Sequence, residues 1–257
     1  MQAYPRTSTA RPQWQRLARM HVGLHLYLSL WFWAIVAALW IVVVGGVQLL
    51  GGVGPIPEDI EMSYFQFTLH ATLWFSFSVG IASAMLITST VGNGATRRSF
   101  ASGALVGMLA GALLHGTVMA FGFMAEGWVY EAAGWSQLHV SEAMDGGIDS
   151  AQLWQEGFLL TWSAGSARVA GGIVAGLLVG MNYYRFGGWR GTALLPLGLI
   201  PAVISQDDLV RWFGRDLGVD VGLGALAVVV LVVVGSLVFR YLAASAVIKQ
   251  QWSRHGE

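Results

Sequence analysis

Few side chains in this 257-residue sequence could do chemistry from within an apolar segment. Arg168 stands near the middle of one such run, where a guanidinium is costly in lipid and must face protein or water. It suits a substrate path or an interhelical ion pair, and equally a structural hydrogen bond to backbone carbonyls. Glu156, three turns outward on the same run, is the acid to consider as its partner. His70 and His115 fall in the outer half of their runs, with no embedded carboxylate and no HExxH pairing, so they make a poor metal site. A structural hydrogen bond is the expected role for both, with a place in a proton relay open. Ser78 and Ser83 near His70 do not amount to a serine hydrolase arrangement.

Other chemistry is missing. There is no GxxxxGK[ST] phosphate loop, no GxSxG elbow and no intramembrane pair of carboxylates. With no cysteine, disulfides, thiolate catalysis and Cys-based metal sites are excluded. No catalytic site, metal site or cofactor is therefore expected within the chain. A carrier driven by buried carboxylates is disfavoured as well, because the acids concentrate outside the apolar runs.

The elements that must position these residues are membrane helices. Hydrophobic residues make up 55% of the chain and charged ones only 11%, too little polar surface to cover a globular protein. A crossing needs about 20 mostly apolar residues. Such runs are Tyr27–Leu50, Tyr64–Val91, Phe100–Ala125, Gly157–Met181, Thr192–Ser205 and Val221–Ile248, giving an all-α membrane protein of six spans. The fifth is short and carries Pro196 and Pro201. It either recruits Gly187 to Gly191 or Gln206 to Val210, or is a broken helix. The first run is too long for a signal peptide and is expected to stay as a span.

Charge sets the sidedness. With the N-terminus inside, Arg6, Arg11, Arg16, Arg19, Arg97, Arg98, Arg185, Arg190, Lys249 and Arg254 all fall on the cytoplasmic side, with Glu257 as the acid among them. The outer segments hold the acids from Glu58 to Asp220, including Glu126, against Arg211 and Arg215. This is the positive-inside pattern, and it places both termini in the cytoplasm. Arg240 is expected to snorkel. Residues 1–26 read as a cytoplasmic tail and an amphipathic, basic interfacial helix (Gln13 to His25) on the inner leaflet, 27–248 as the transmembrane domain and 249–257 as a cytoplasmic tail. The outer segment Glu126–Gln155, with Trp128, Tyr130, Trp135 and Trp154, is expected as a loop or short helix at headgroup level.

Two glycine stripes carry a packing signal. Gly103, Gly107 and Gly111 in the third span and Gly172, Gly176 and Gly180 in the fourth each recur every four residues, which lets helix backbones approach closely. Because the two spans are consecutive, the stripes are expected to face each other.

Between the second and third spans, "LITSTVGNGATRRSFASG" resembles the permease subunits of bacterial ABC-2-type exporters, many of which carry a Gly-x-Thr-Arg-Arg-like turn at this place. The resemblance extends to the plan of interfacial helix, six spans and no ATPase domain. It implies that Gly92, Asn93, Gly94, Ala95, Thr96, Arg97 and Arg98 form a short coupling helix docking on a cytoplasmic ABC ATPase. Gly92 and Gly94 would allow the sharp path, Asn93 or Thr96 would cap the next helix, and Arg97 and Arg98 would touch the ATPase or the headgroups. It further implies two ATPase copies binding ATP and Mg, a second permease copy or related permease, and lipid contacts, with no nucleic acid. The short connection Gln206 to Asp220 departs from larger members, which place a re-entrant helix there.

The expected function is that of a permease subunit moving a hydrophobic or amphipathic substrate by alternating access. The alternative is a non-transporting polytopic sensor, immunity or assembly protein. A single lysine amid abundant Ala, Gly, Val, Trp and Arg suits a GC-rich bacterial genome, hence a bacterial plasma membrane.

Overall fold

The computed structural model describes residues 12–50, 64–133, 158–205 and 221–247, and among them it is all-helical. The helices are α1 (Gln13–Leu50), α2 (Tyr64–Met85), α3 (Ile87–Gly92), α4 (Arg97–Ala133), α5 (Phe158–Ala193), α6 (Leu195–Ile204) and α7 (Val221–Ala244). The Thr90 amide donates to the Leu86 carbonyl, so α3 prolongs α2 with little interruption. Among the described residues five helical stretches are long and apolar enough to cross a bilayer, and α6 is a shorter apolar helix. The chain is a membrane-spanning protein by this measure. The expected outer connections at Trp135, Trp154 and Gln206 to Asp220, and both tails, lie outside the described residues.

The centre of the bundle is α5, which packs against α2, α4, α6 and α7 and is buried along most of Gly165–Asn182. Its glycines let neighbouring backbones approach closely, and its polar Ser166, Arg168 and Asn182 are turned away from lipid. By contrast, α7 exposes Val229, Val230, Val233, Val234, Leu237 and Val238, a face suited to lipid tails.

Three expectations need correction. The interfacial helix Gln13 to His25 is not a separate element. It continues without a break into the first span, and the 38-residue α1 is about 57 Å long. Its mixed face meets α4: Leu17, His21, His25 and Ser29 are buried at four-residue intervals, with Ala18 beside them, while Arg16 and Arg19 remain exposed. The third span likewise runs on past Ala125 to Ala133, so Glu126 and Trp128 continue that helix instead of belonging to a separate outer segment. Glu126 is buried.

The third correction concerns the glycine stripes, which do not face each other. Gly103 abuts Leu17 and Ala18, Gly107 abuts His21, and Gly111 abuts the His25 ring, so the α4 stripe receives α1. Gly172 abuts Ser76, Gly176 abuts Phe77 and Gly80, and Gly180 abuts Ala84, so the α5 stripe receives α2. Both pairs run parallel, each matching a ridge at four-residue spacing to a groove at the same spacing. The helices α4 and α5 do meet, further toward the Ala133 end of α4, where Gly116 lies against Trp162 and Ser166. Lipid offers no hydrophobic drive, so partner choice follows shape, and chain order does not dictate it.

The fifth apolar segment is built as a hairpin with α5. Gly187 (φ 78, ψ −175) reverses the chain, and hydrogen bonds from Leu194 N to Arg190 O and from Gly198 N to Leu194 O carry helical structure through to α6. The segment thus recruits Gly188 to Gly191, and its helical stretch of 188–204 is about 26 Å long. It returns antiparallel along α5, with Gly191 against Tyr183, Gly198 against Val179 and Ser205 against Gly171. Pro196 falls in the first turn of α6.

Candidate functional site

Two sites place polar chemistry on this frame. The first is the turn between α3 and α4. Gly94 adopts φ 87, its N–H donates to Val91 O, and Ala95 N–H donates to Thr90 O. That is a Schellman closure of α3, with glycine at the one position that needs a left-handed backbone. Gly92 is ordinarily helical and Asn93 is the C-cap of α3, so of the two residues offered as the cap of the next helix Asn93 is not the one. Thr96 is: its Oγ1 accepts from Ser99 N–H at 3.2 Å. Between Gly92 and Arg97 there is room only for this turn, and no separate coupling helix forms across it.

Gln13 clamps the same turn from α1. Its Nε2 donates to Gly94 O at 3.0 Å, and its Oε1 accepts from Thr96 N–H at 2.9 Å. The turn is therefore held at three points, while Gly92, Asn93, Gly94, Thr96 and Arg98 stay exposed and Ala95 and Arg97 are half-buried. Replacing Thr96 by Ala should cost about 1 kcal/mol through loss of the cap. A reversible unfolding titration in mixed detergent micelles, compared with the wild type, measures this directly.

The second site is the seam where α1 lies in the α4 groove. Ser29 and His115 are 2.8 Å apart at Oγ and Nε2, and the Trp33 indole N–H donates to His115 Nδ1 at 2.9 Å. Indole can only donate, so Nδ1 must be the accepting nitrogen; the neutral ring then carries its hydrogen on Nε2 and gives it to Ser29. Phe32 and Phe75 pack around the same ring, with centroids at 5.8 and 5.4 Å. Two further imidazoles continue the row toward the Gln13 end of α1: His25 on Gly111, then His21 on Gly107, edge-on to Phe100 at 5.5 Å.

The remaining candidates are scattered. His70 is exposed on α2, whereas His115 is buried and has both nitrogens engaged. Arg168 is buried in α5 and donates from Nε to the Ser205 carbonyl at 3.3 Å, tying α5 to the end of α6. Ser78 bonds back to Trp74 O. Among the described residues no set of three His, Cys, Asp or Glu side chains converges as a metal site.

Sequence reasoning missed His21, His25, Ser29 and Trp33, which looked like part of an interfacial face or an ordinary span. The signal was present. Leu17, His21, His25, Ser29 and Trp33 recur every four residues, and so do Gly103, Gly107, Gly111 and His115. No protein-family model matches the chain, and neither a curated protein nor a solved structure does.

Proposed function

We propose that this chain is the membrane-embedded subunit of an ATP-driven exporter of the ABC-2 type, crossing the bilayer six times with residues 12 and 247 on the cytoplasmic side. Two copies, or one copy with a related permease, work with two copies of a separate ATPase that holds ATP and Mg. The cargo is a hydrophobic or amphipathic molecule that passes by alternating access.

The observation that carries this reading is the clamped, exposed turn at Val91–Phe100. Its Schellman closure ends α3, Thr96 starts α4, and the Gln13 amide ties both to α1. A load applied at Arg97 and Arg98 would thus reach α1, α3 and α4 together, which a mechanical contact with a motor requires. Ordinary basic turns need no such bracing.

The test is co-purification from the native membrane with an ABC ATPase, in the wild type and in an Arg97→Glu, Arg98→Glu double variant. The wild type is expected to retain the ATPase and the double variant to lose it while still inserting normally. A wild type that retrieves no ATPase overturns the exporter reading; a double variant that keeps it overturns the docking role of the turn.

A further inference from the structure

The α1/α4 seam buries polar atoms that the protein does not satisfy. His21 and His25 are 0% and 2% exposed, and both ring nitrogens of His21 and Nε2 of His25 have no hydrogen-bond partner. A neutral imidazole carries one donor and one acceptor, and leaving either unmade in an interior costs about 1–3 kcal/mol. A third orphan lies at the same depth. Phe75 of α2 stacks on Phe32 of α1 at 4.4 Å, and Ser83, two turns inward from Phe75, is buried with its Oγ unpartnered. His25 and His21 lie two and three turns inward from Phe32. Clusters of this kind are ordinarily satisfied by internal water, each molecule making about three hydrogen bonds.

We propose that the seam is a hydrated proton-loading site, in which water entering from the cytoplasmic end of α1 and α4 lets His21 and His25 take up and release protons while His115 closes the path outward. By helical rise, His21 and His25 stand about 12 and 18 Å above Gln13, within reach of a short file of water. A proton arriving at a lone pair of His21 is matched by loss of the hydrogen on its other nitrogen, through water, to a lone pair of His25. Each transfer makes one N–H bond and breaks one, and the ring returns to neutral.

At His115 the transfer stops. Its Nδ1 lone pair is taken by the Trp33 N–H, and its Nε2 already carries the hydrogen given to Ser29, so nothing on the ring can accept a proton. The site therefore fills and empties from one side without leaking. Trp33 belongs to α1 and His115 to α4, so parting these helices would free the lone pair.

The charged and titratable groups around the site come from three helices. On α1, Arg16 and Arg19 are exposed near the cytoplasmic end. On α4, Arg97 and Arg98 flank the turn, and buried Glu126 stands about 22 Å outward from Gly111. On α2 there is exposed His70. Among the described side chains of these helices, no carboxylate faces His21 or His25. The inference does not depend on the exporter reading.

The experiment is water-edited solid-state NMR on ¹⁵N-histidine-labelled protein in lipid bilayers, with signals assigned through His21→Gln and His25→Gln. Magnetisation is expected to pass from water to His21 and His25 faster than to His115. Acidification from about pH 8 to about pH 4 should convert the first two to the doubly protonated form while His115 keeps its Nε2–H signal. In Trp33→Phe, His115 should join the titrating set. Water transfer to His21 and His25 no faster than to His115, or signals unchanged at low pH, would overturn the loading site. A wild-type His115 that titrates with them would overturn the stop.

Discussion

Gly176→Leu should separate α2 from α5 and be among the most destabilising single substitutions in the chain. A β-carbon at Gly176 would collide with the Phe77 carbonyl oxygen and lie 2.9 Å from both the Gly80 Cα and the Ile81 amide nitrogen. These are backbone atoms, so no change of rotamer relieves the contact and the helices themselves must move apart. Because α5 also packs on α4, α6 and α7, the displacement spreads through the bundle. Overpacking a tight interior typically costs about 1–3 kcal/mol, and a leucine against backbone belongs at or above the top of that range. Equilibrium unfolding in mixed micelles reads the loss. Gly45→Leu is the control, since nothing lies within 4 Å of its β-position. Equal stability of the Gly176→Leu protein and the wild type would refute the close α2/α5 approach.

Gly187→Ala should loosen the α5/α6 hairpin at a cost of about 1–3 kcal/mol. At φ 78 and ψ −175 the backbone occupies a region that is essentially glycine's alone. No neighbour lies within 4 Å of the β-position, so the penalty comes wholly from the backbone. An alanine that relaxes would swing α6 away from α5, and with it the Arg168 contact to Ser205 and the packing of Gly198 on Val179. Gly94 makes the comparison. Its φ of 87 closes a Schellman turn, a position asparagine also occupies, so Gly94→Asn should be mild where Gly187→Asn is not. Arg185 and Arg190 flank Gly187, which makes trypsin a direct probe. Faster cleavage there in Gly187→Ala, with no change in Gly94→Asn, is the expected result, and equal rates in all three proteins would contradict it.

The two sites were legible to different degrees. In the turn, Gly94 and Thr96 were readable because a left-handed backbone and an N-cap are local demands with narrow residue preferences. The choice between Asn93 and Thr96 as the cap was left open because the same residue types serve several turn positions, and only the observed hydrogen bonds separate them. Gln13 was unreadable in this role. It lies 81 residues before Gly94, and a glutamine near the end of a helix signals nothing about a distant amide.

The seam failed for another reason. An interfacial helix and a helix seated in a protein groove show the same alternation, since each needs one polar and one apolar face. Residues Gln13 to His25, with their arginines, fit the first description as well as the second. Only the matching four-residue spacing on α4 distinguishes them, and that match has meaning once the two stretches are known to be neighbours.

By itself the sequence determined the class of solvent, the approximate segments and the helix faces that must pack tightly, because composition, length and small-residue spacing answer directly to the cost of polar groups in lipid. Tertiary structure alone decided which stripe meets which helix, where the chain turns back at Gly187, and which imidazoles are buried together. Between apolar helices in an apolar solvent, association rests on shape complementarity, and shape is a property of two surfaces that no single stretch of sequence contains.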